Sequence, residues 1–260
     1  MIKIIRFLAC FIFTFSYSCT SSENDTQQEG IRIISLSPGI TASLIDMGFS
    51  DQIVGRSAFC EMDSIPVVGD LYSVDFERLL RLHPTHVFVQ QQVGGIDSHL
   101  EDLAENGTFI LRSWKLNTIE DIKQLFAGLS SMLKVEYPNA NFEFDQAAIS
   151  DEPTLLMTSG SDQNVGICFG NNTYLDDIWK AIGGVNVLER DGWQKLSLED
   201  IARLAPSRIL IVSDVHISNR GPLETLGIPI IQFIHKDVLI PSTRIAQVAQ
   251  SLQVRMVKTK

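Results

Sequence analysis

Ser73-Val-Asp-Phe-Glu-Arg-Leu-Leu-Arg-Leu-His-Pro-Thr-His-Val-Phe-Val89 returns 122 residues later as Lys195-Leu-Ser-Leu-Glu-Asp-Ile-Ala-Arg-Leu-Ala-Pro-Ser-Arg-Ile-Leu-Ile211. At that offset Glu77 meets Glu199, Arg81 meets Arg203, Leu82 meets Leu204 and Pro84 meets Pro206. Each copy reads as a capped short helix, a proline stop and a buried strand. Asp75 and Ser197 fall where an N-cap accepts a bond from a free helix N–H. Asp200 completes a capping box with Ser197. A unit written twice implies a duplicated architecture.

The flanks extend the duplication. Ile31–Leu36 and Thr154–Met157 each open a half as an apolar strand. Each leads through a Ser/Gly-rich loop into a helix, Thr41–Met47 in the first half and Leu175–Ile182 in the second. Gly48 and Gly183 stand where a C-cap is expected. Asn106-Gly-Thr-Phe-Ile-Leu and Leu226-Gly-Ile-Pro-Ile-Ile both read as a turn into a further strand. Strands alternating with helices predict an α/β fold with a mostly parallel sheet in each half. Between the halves, Ile119, Ile122, Leu125, Phe126, Leu129 and Leu133 recur at helical spacing, and Pro138 opens a second short helix reaching about Ile149. The expected organisation is an N-terminal lobe over 31–117, a helical connector over 118–150 and a C-terminal lobe over 151–260. The expected ligand cleft lies between the lobes, at the carboxyl ends of the strands.

The first thirty residues read as an address rather than part of the fold. Lys3 and Arg6 precede the apolar run Phe7–Phe15, and small residues lead to Cys19, the pattern of a secretory signal over 1–18. Ending on Ser-Cys resembles a bacterial lipobox, with Ser16 where Leu is usual. Cys19 is then the lipidated first residue of the mature chain. Residues 19–30 carry nothing to bury and read as a polar tether. The run is too short to span a bilayer. Of the four cysteines, Cys60 and Cys168 remain in the body, either as a disulfide or as buried or cleft-lining thiols. The chain carries 31 acidic against 21 basic residues, net −10, with no basic cluster. That excludes a nucleic-acid partner.

The order and spacing of four segments carry a resemblance. They are Arg32-Ile-Ile-Ser-Leu-Ser-Pro-Gly39; Val54-Gly through Phe76-Glu77-Arg78 to Val87–Val89; Gly183-Gly-Val-Asn-Val-Leu188 through Trp193 to Glu199; and Pro241-Ser-Thr-Arg-Ile245 before a final helix. Together they resemble the helical-backbone (class III) periplasmic binding proteins of ABC importers for cobalamin, ferric siderophores and haem, nearest to the cobalamin-binding members. The resemblance implies a monomeric, lipid-anchored binding protein of the periplasm or cell envelope. Such a protein captures a corrinoid or iron complex and delivers it to a permease. It implies ligand contacts from Pro38, Phe59, Leu71, Tyr72, Trp193, His235 and Lys236, and permease docking through Glu77 and Glu199. Phe59 stands where those relatives have a tyrosine, and Leu71 replaces a cleft tryptophan. The Asp and Arg of the relatives' last cleft loop are missing from His235-Lys-Asp-Val238.

Other chemistry is poorly represented. There is no phosphate-binding glycine loop and no Gly-x-Ser-x-Gly elbow. No nucleophile with a convergent base is legible, so no enzymatic activity, metal or resident cofactor is expected. His83 and His86 mimic a metal pair, but they flank Pro84 at the amino end of a strand, away from the expected cleft. His216 and His235 both follow strands of the second half and could reach the cleft, as axial ligands or as hydrogen-bond donors. A binding or sensory lipoprotein without a permease, and an α/β enzyme, are the alternative readings.

Overall fold

A computed structural model describes residues 30–70, 73–136, 142, 149, 151–158, 165–217 and 220–257. Ile31–Lys260 forms one compact unit. The signal, Cys19 and all of the tether but Gly30 lie outside the described residues, as do Leu71 and Tyr72.

The first lobe runs β1 (Ile33–Ser35), α1 (Pro38–Asp46), β2 (Ile53–Ser57), β3 (Val67–Gly69), α2 (Phe76–Arg81), β4 (His86–Gln90), α3 (Ser98–Glu105) and β5 (Ile110–Trp114). Its sheet has the order β3-β2-β1-β4-β5, with every pair parallel. The helix α4 (Ile119–Leu133) leads to the second lobe. There follow β6 (Pro153–Thr158), β7 (Val165–Phe169), α5 (Tyr174–Ala181), β8 (Val185–Asn186), β9 (Trp193–Ser197), α6 (Leu198–Leu204), β10 (Arg208–Ser213), β11 (Ile230–Ile234) and α7 (Ile245–Val257). This sheet has the order β11-β10-β6-β7-β9, and β8 pairs with the start of β6.

The duplication is real in three dimensions. The starts of α2 and α6, Phe76 and Leu198, keep the offset of the sequence repeat, and so do those of β4 and β10, His86 and Arg208. Asp75 accepts the Arg78 N–H as N-cap of α2 (2.9 Å). Ser197 and Asp200 form the expected capping box on α6. Gly48 and Gly183 are both at positive φ just beyond α1 and α5.

One expectation is corrected. The segment between β6 and α5 is not only a loop, because Val165–Phe169 forms β7, antiparallel to β6 and to β9. Its alternation explains it: Cys168 is buried in the outer core of the lobe, and Phe169 in the opposite, inner core. The counterpart of β2 is β8, since each follows its lobe's first helix across a glycine turn. The reversed strand is therefore an addition to the duplicated plan.

Three buried clusters follow the two faces of the sheets. Ile34, Val87 and Val89 point outward onto Leu79 of α2 and Leu100 of α3. Leu155, Met157, Ile209 and Ile211 point outward onto Ile201 of α6. The inner residues Ile33, Phe88, Leu156, Leu210 and Phe233 join α1, α4, α5 and α7 in one cluster spanning both lobes. Burial on both faces is why the parallel strands read as nearly unbroken apolar runs. The connector α4 starts on a Thr118–Asp121 capping box and buries Ile122, Leu125, Leu129 and Leu133 in the shared cluster. The Ile119 N–H donates to Asp177 of α5 (3.0 Å). The second connector helix expected from Pro138 lies outside the described residues, save Phe142 and Ile149; Ile149 is fully buried in the shared core.

Candidate ligand cleft

Parallel strands bring their carboxyl ends to one edge of a sheet, and ligands bind in the crevice outside that edge. Here the two edges converge. Arg244, just before α7, pairs with Glu61 beyond β2 (2.8 Å) and with Asp237 beyond β11 (3.2 Å). Large apolar side chains stand exposed at this end: Phe59 (68%) after β2, Val93 after β4, Val215 after β10 and Ile234 closing β11. Exposed apolar residues gathered at strand ends mark a binding surface better than scattered ones do.

The Phe59 loop is rigidly built. Arg56 is buried at the end of β2, and its guanidinium donates to the carbonyls of Ser57, Ala58, Cys60 and Ile65. Cys60 tucks under the loop beside Thr41 Oγ1 (3.1 Å). The backbone is thus fixed from below, and Phe59 is held out toward solvent. Pro38 is half-buried at the first turn of α1. Ser37 Oγ donates to Gln90 Oε1 (3.0 Å), which ties the end of β1 to the end of β4.

In the second lobe, His235 is half-buried and Lys236 exposed. The His235 ring stacks near Phe233 (6.0 Å, 18° between planes). The Asp237 N–H donates to His235 Nδ1 (3.2 Å). An Nδ1 that accepts leaves the proton of the neutral ring on Nε2. His216 is exposed.

Trp193 is not buried in the core. The residue is 45% exposed, and its ring meets the buried Phe169 edge-on (4.5 Å, 89°). Register places it level with Phe169, two residues below Ile167, the partner of Thr158 at the end of β6. Trp193 therefore lies on the flank of the sheet, at its β9 edge. The two glutamates sit at matching places, each the second residue of its helix, and both are exposed.

Sequence reasoning missed three features. Arg56 carries no motif of its own, and Arg244 belongs to the closing Pro241-Ser-Thr-Arg-Ile245 segment without a role legible there; their burial reveals them. The loop Gln91-Gln-Val-Gly-Gly95 directly follows the first copy of the repeat, and that position was the available signal. A groove of about 540 Å³ opens beside it on the outer side of the lobe, floored by Leu36, Val89 and Leu100 with Asp70 and Asp97 among its lining.

Cys60 and Cys168 are free and buried, and burial raises both thiols, Cys168 to about 12. Such thiols are inert. Among the described residues no group of three or more His, Cys, Asp or Glu could hold a metal ion. His86 instead contacts Thr85 Oγ1 (2.8 Å) and packs near Phe88. No helix among the described residues is long and apolar enough to cross a membrane.

Comparison with known proteins gives this architecture a family. The sequence profile of the periplasmic binding protein family matches residues 33–221, well over half of the chain. No curated protein matches the chain in sequence. Among solved structures, a periplasmic haem-binding protein from Pseudomonas aeruginosa superposes with a TM-score of 0.69 at 16% identity, over 88% of this chain and 93% of that one. The periplasmic vitamin B12 binding protein BtuF of Vibrio cholerae gives 0.65 at 14% identity, over 88% and 98%. The catecholate-siderophore binding protein VctP of the same species gives 0.60 at 14%, over 88% and 93%. At these identities the superpositions speak for the fold, two α/β lobes built around a shared helical core. With its profile match and this two-lobed plan, the chain belongs to the periplasmic binding protein family, in the helical-backbone class.

Proposed function

We propose that this chain is the lipid-anchored substrate-binding protein of an ABC importer. It captures a corrinoid or an iron complex, haem or a ferric siderophore, between its lobes and hands it to the permease. The observation that carries the reading is Phe59: a large aromatic held out at the strand ends by a buried arginine, on a fold whose relatives bind such ligands. Aromatic faces are the natural contact for a bulky, largely apolar metal chelate. His235 Nε2–H and the Lys236 ammonium suit an anionic periphery, which haem carboxylates, a corrinoid phosphate and a ferric catecholate all supply. Trp193 adds a partly exposed ring on the lobe flank, and Pro38 shapes the first-lobe wall.

In this reading residues 1–18 are the signal, Cys19 carries the lipid and 19–30 space the lobes from the membrane. The N-terminal lobe spans 31–117, the connector 118–150 and the C-terminal lobe 151–260. The protein acts outside the cytoplasm, as a monomer, with Glu77 and Glu199 set against the permease. It is a carrier and not an enzyme.

The test is titration of the purified protein with hemin, cyanocobalamin and a ferric catecholate, followed by absorbance and tryptophan quenching. Saturable one-to-one binding of one of them supports the reading. Failure of all three overturns it. A cell-fractionation assay tests the anchor: Cys19→Ser should leave the membrane pellet, since the acyl chains supply the attachment.

A further inference from the structure

Arg244 lies between the lobes and is bound by carboxylates from both. Its Nε donates to both oxygens of Asp46, at 3.1 Å each, and its Nη2 to Asp46 Oδ1 at 2.9 Å. Nη2 also pairs with Glu61 (2.8 Å), and Nη1 with Asp237 (3.2 Å). The arginine side chain is 13% exposed and that of Asp237 4%. Burial alone lowers a guanidinium's affinity for its proton, but here the bonds to Asp46, Glu61 and Asp237 carry it well above its ordinary range.

What each carboxylate is attached to gives the cluster its meaning. Glu61 is two residues beyond Phe59. Asp237 is two residues beyond His235. Asp46 closes α1, whose other end starts at Pro38. The contact around it is close: Thr243 Oγ1 donates to Asp46 (2.6 Å), and a Cβ on Gly39 would stand 2.3 Å from the Pro241 carbonyl oxygen. Only glycine admits that approach of α1 to the Pro241–Arg244 loop.

We propose that Arg244 is a positioning residue that fixes the spacing of the ligand-contacting loops of the two lobes, Phe59 on one side and His235–Lys236 on the other. The proposal rests on the cleft reading for its purpose, though not for its geometry. A planar five-donor guanidinium can hold several carboxylates in fixed directions, which a lysine ammonium cannot do equally well. Without it the three carboxylates would face one another at close range, and both loops would be free to part. Preorganised loops bind more tightly because less order is lost on capture.

Hydrogen exchange on the full chain separates this role from plain stabilisation. In Arg244→Met the amides of residues 57–63 and 235–240 should exchange on the order of tenfold faster, while β4 and β10 keep their protection. Arg244→Lys should fall between that variant and wild type. Glu61→Gln, a half-exposed and milder change, should speed exchange in 57–63 alone, and Asp237→Asn in 235–240 alone. Hemin serves as the binding probe, and its affinity should fall about tenfold in Arg244→Met. Unchanged exchange in both loops, or a uniform rise across the whole chain, overturns the brace. If Arg244→Met does not fold, unchanged exchange of 57–63 in Glu61→Gln overturns it equally. Loop-specific exchange without any hemin binding by the wild type keeps the brace and rejects hemin as the ligand.

Discussion

Glu77 and Glu199 hold the same place in two lobes. Each is the second residue of a short helix, each side chain is more than four-fifths exposed, and each pairs with an arginine one turn later, Arg81 and Arg203. The duplication has thus kept a charged pair where no fold-forming contact requires one. Exposed pairs of this spacing contribute about 0.3–0.5 kcal/mol, too little to explain them as stabilisers.

Docking on a permease predicts a clean separation of phenotypes. Glu77→Ala with Glu199→Ala should leave affinity for the ligand unchanged and abolish uptake in cells, with each single variant intermediate, because the two contacts act as one bivalent grip. Normal uptake by the double variant would leave the glutamates as helix-end charges only. Arg81→Ala and Arg203→Ala free the carboxylates and should not impair uptake.

Phe59 and Trp193 should respond differently to truncation. Phe59→Ala removes a solvent-exposed ring, so the melting temperature should hold while ligand affinity falls tenfold or more. Trp193→Ala also loses its edge-on contact with Phe169, which is worth about 0.5–1.5 kcal/mol beyond area burial. That variant should lose stability as well as affinity. Paired calorimetry and titration distinguish the two patterns, and an unstable Phe59→Ala would place that ring in the packing instead.

The shared core predicts one unfolding transition for both lobes. Leu129→Ala on α4 should cost about 2–5 kcal/mol, and Thr118→Ala, which removes the cap, about 1 kcal/mol. Both should shift a single urea midpoint seen by fluorescence and by circular dichroism alike. Two separated transitions would mean that the lobes fold independently. The same core should limit lobe motion, so the radius of gyration should change little when ligand binds.

Acid should weaken the fold in part through His86. Its imidazole is held below the ordinary value of 6.5, chiefly by burial and then by the charge of Arg112. The unfolded chain binds that proton more tightly, so stability is full above about pH 6.5 and declines as pH falls through the window below it. The urea midpoint of His86→Gln should fall less between pH 7 and pH 5 than that of wild type. Identical slopes would remove His86 from the account.

Much of this was legible in the residues. Glu77, Arg81 and Pro84 against Glu199, Arg203 and Pro206 gave two lobes, because a helix cap, a proline stop and a doubly buried strand are all local signals. The Thr118–Asp121 box opens the connector where the apolar periodicity begins. Val165–Phe169 escaped because five apolar and glycine residues between polar flanks show no alternation until partners supply two faces. Of the candidate site, Phe59 and the glutamates were named only through resemblance. Arg56 and Arg244 were given no role, since an arginine's burial depends on which distant carbonyls and carboxylates surround it. Cys60 and Cys168 were open from sequence as a disulfide or as thiols, and both stand free and buried: reductant should leave the melting temperature unchanged, and both should resist thiol reagents in the folded protein.

The most direct test of the central claim is the visible absorbance spectrum of this protein isolated gently from its own host and washed free of unbound pigment. Corrinoids, haem and ferric chelates all absorb in the visible. A near-stoichiometric chromophore should be present, lost on denaturation and much reduced in Phe59→Ala. A colourless wild-type protein that also stays colourless when saturated with hemin, cyanocobalamin and a ferric catecholate would contradict the claim.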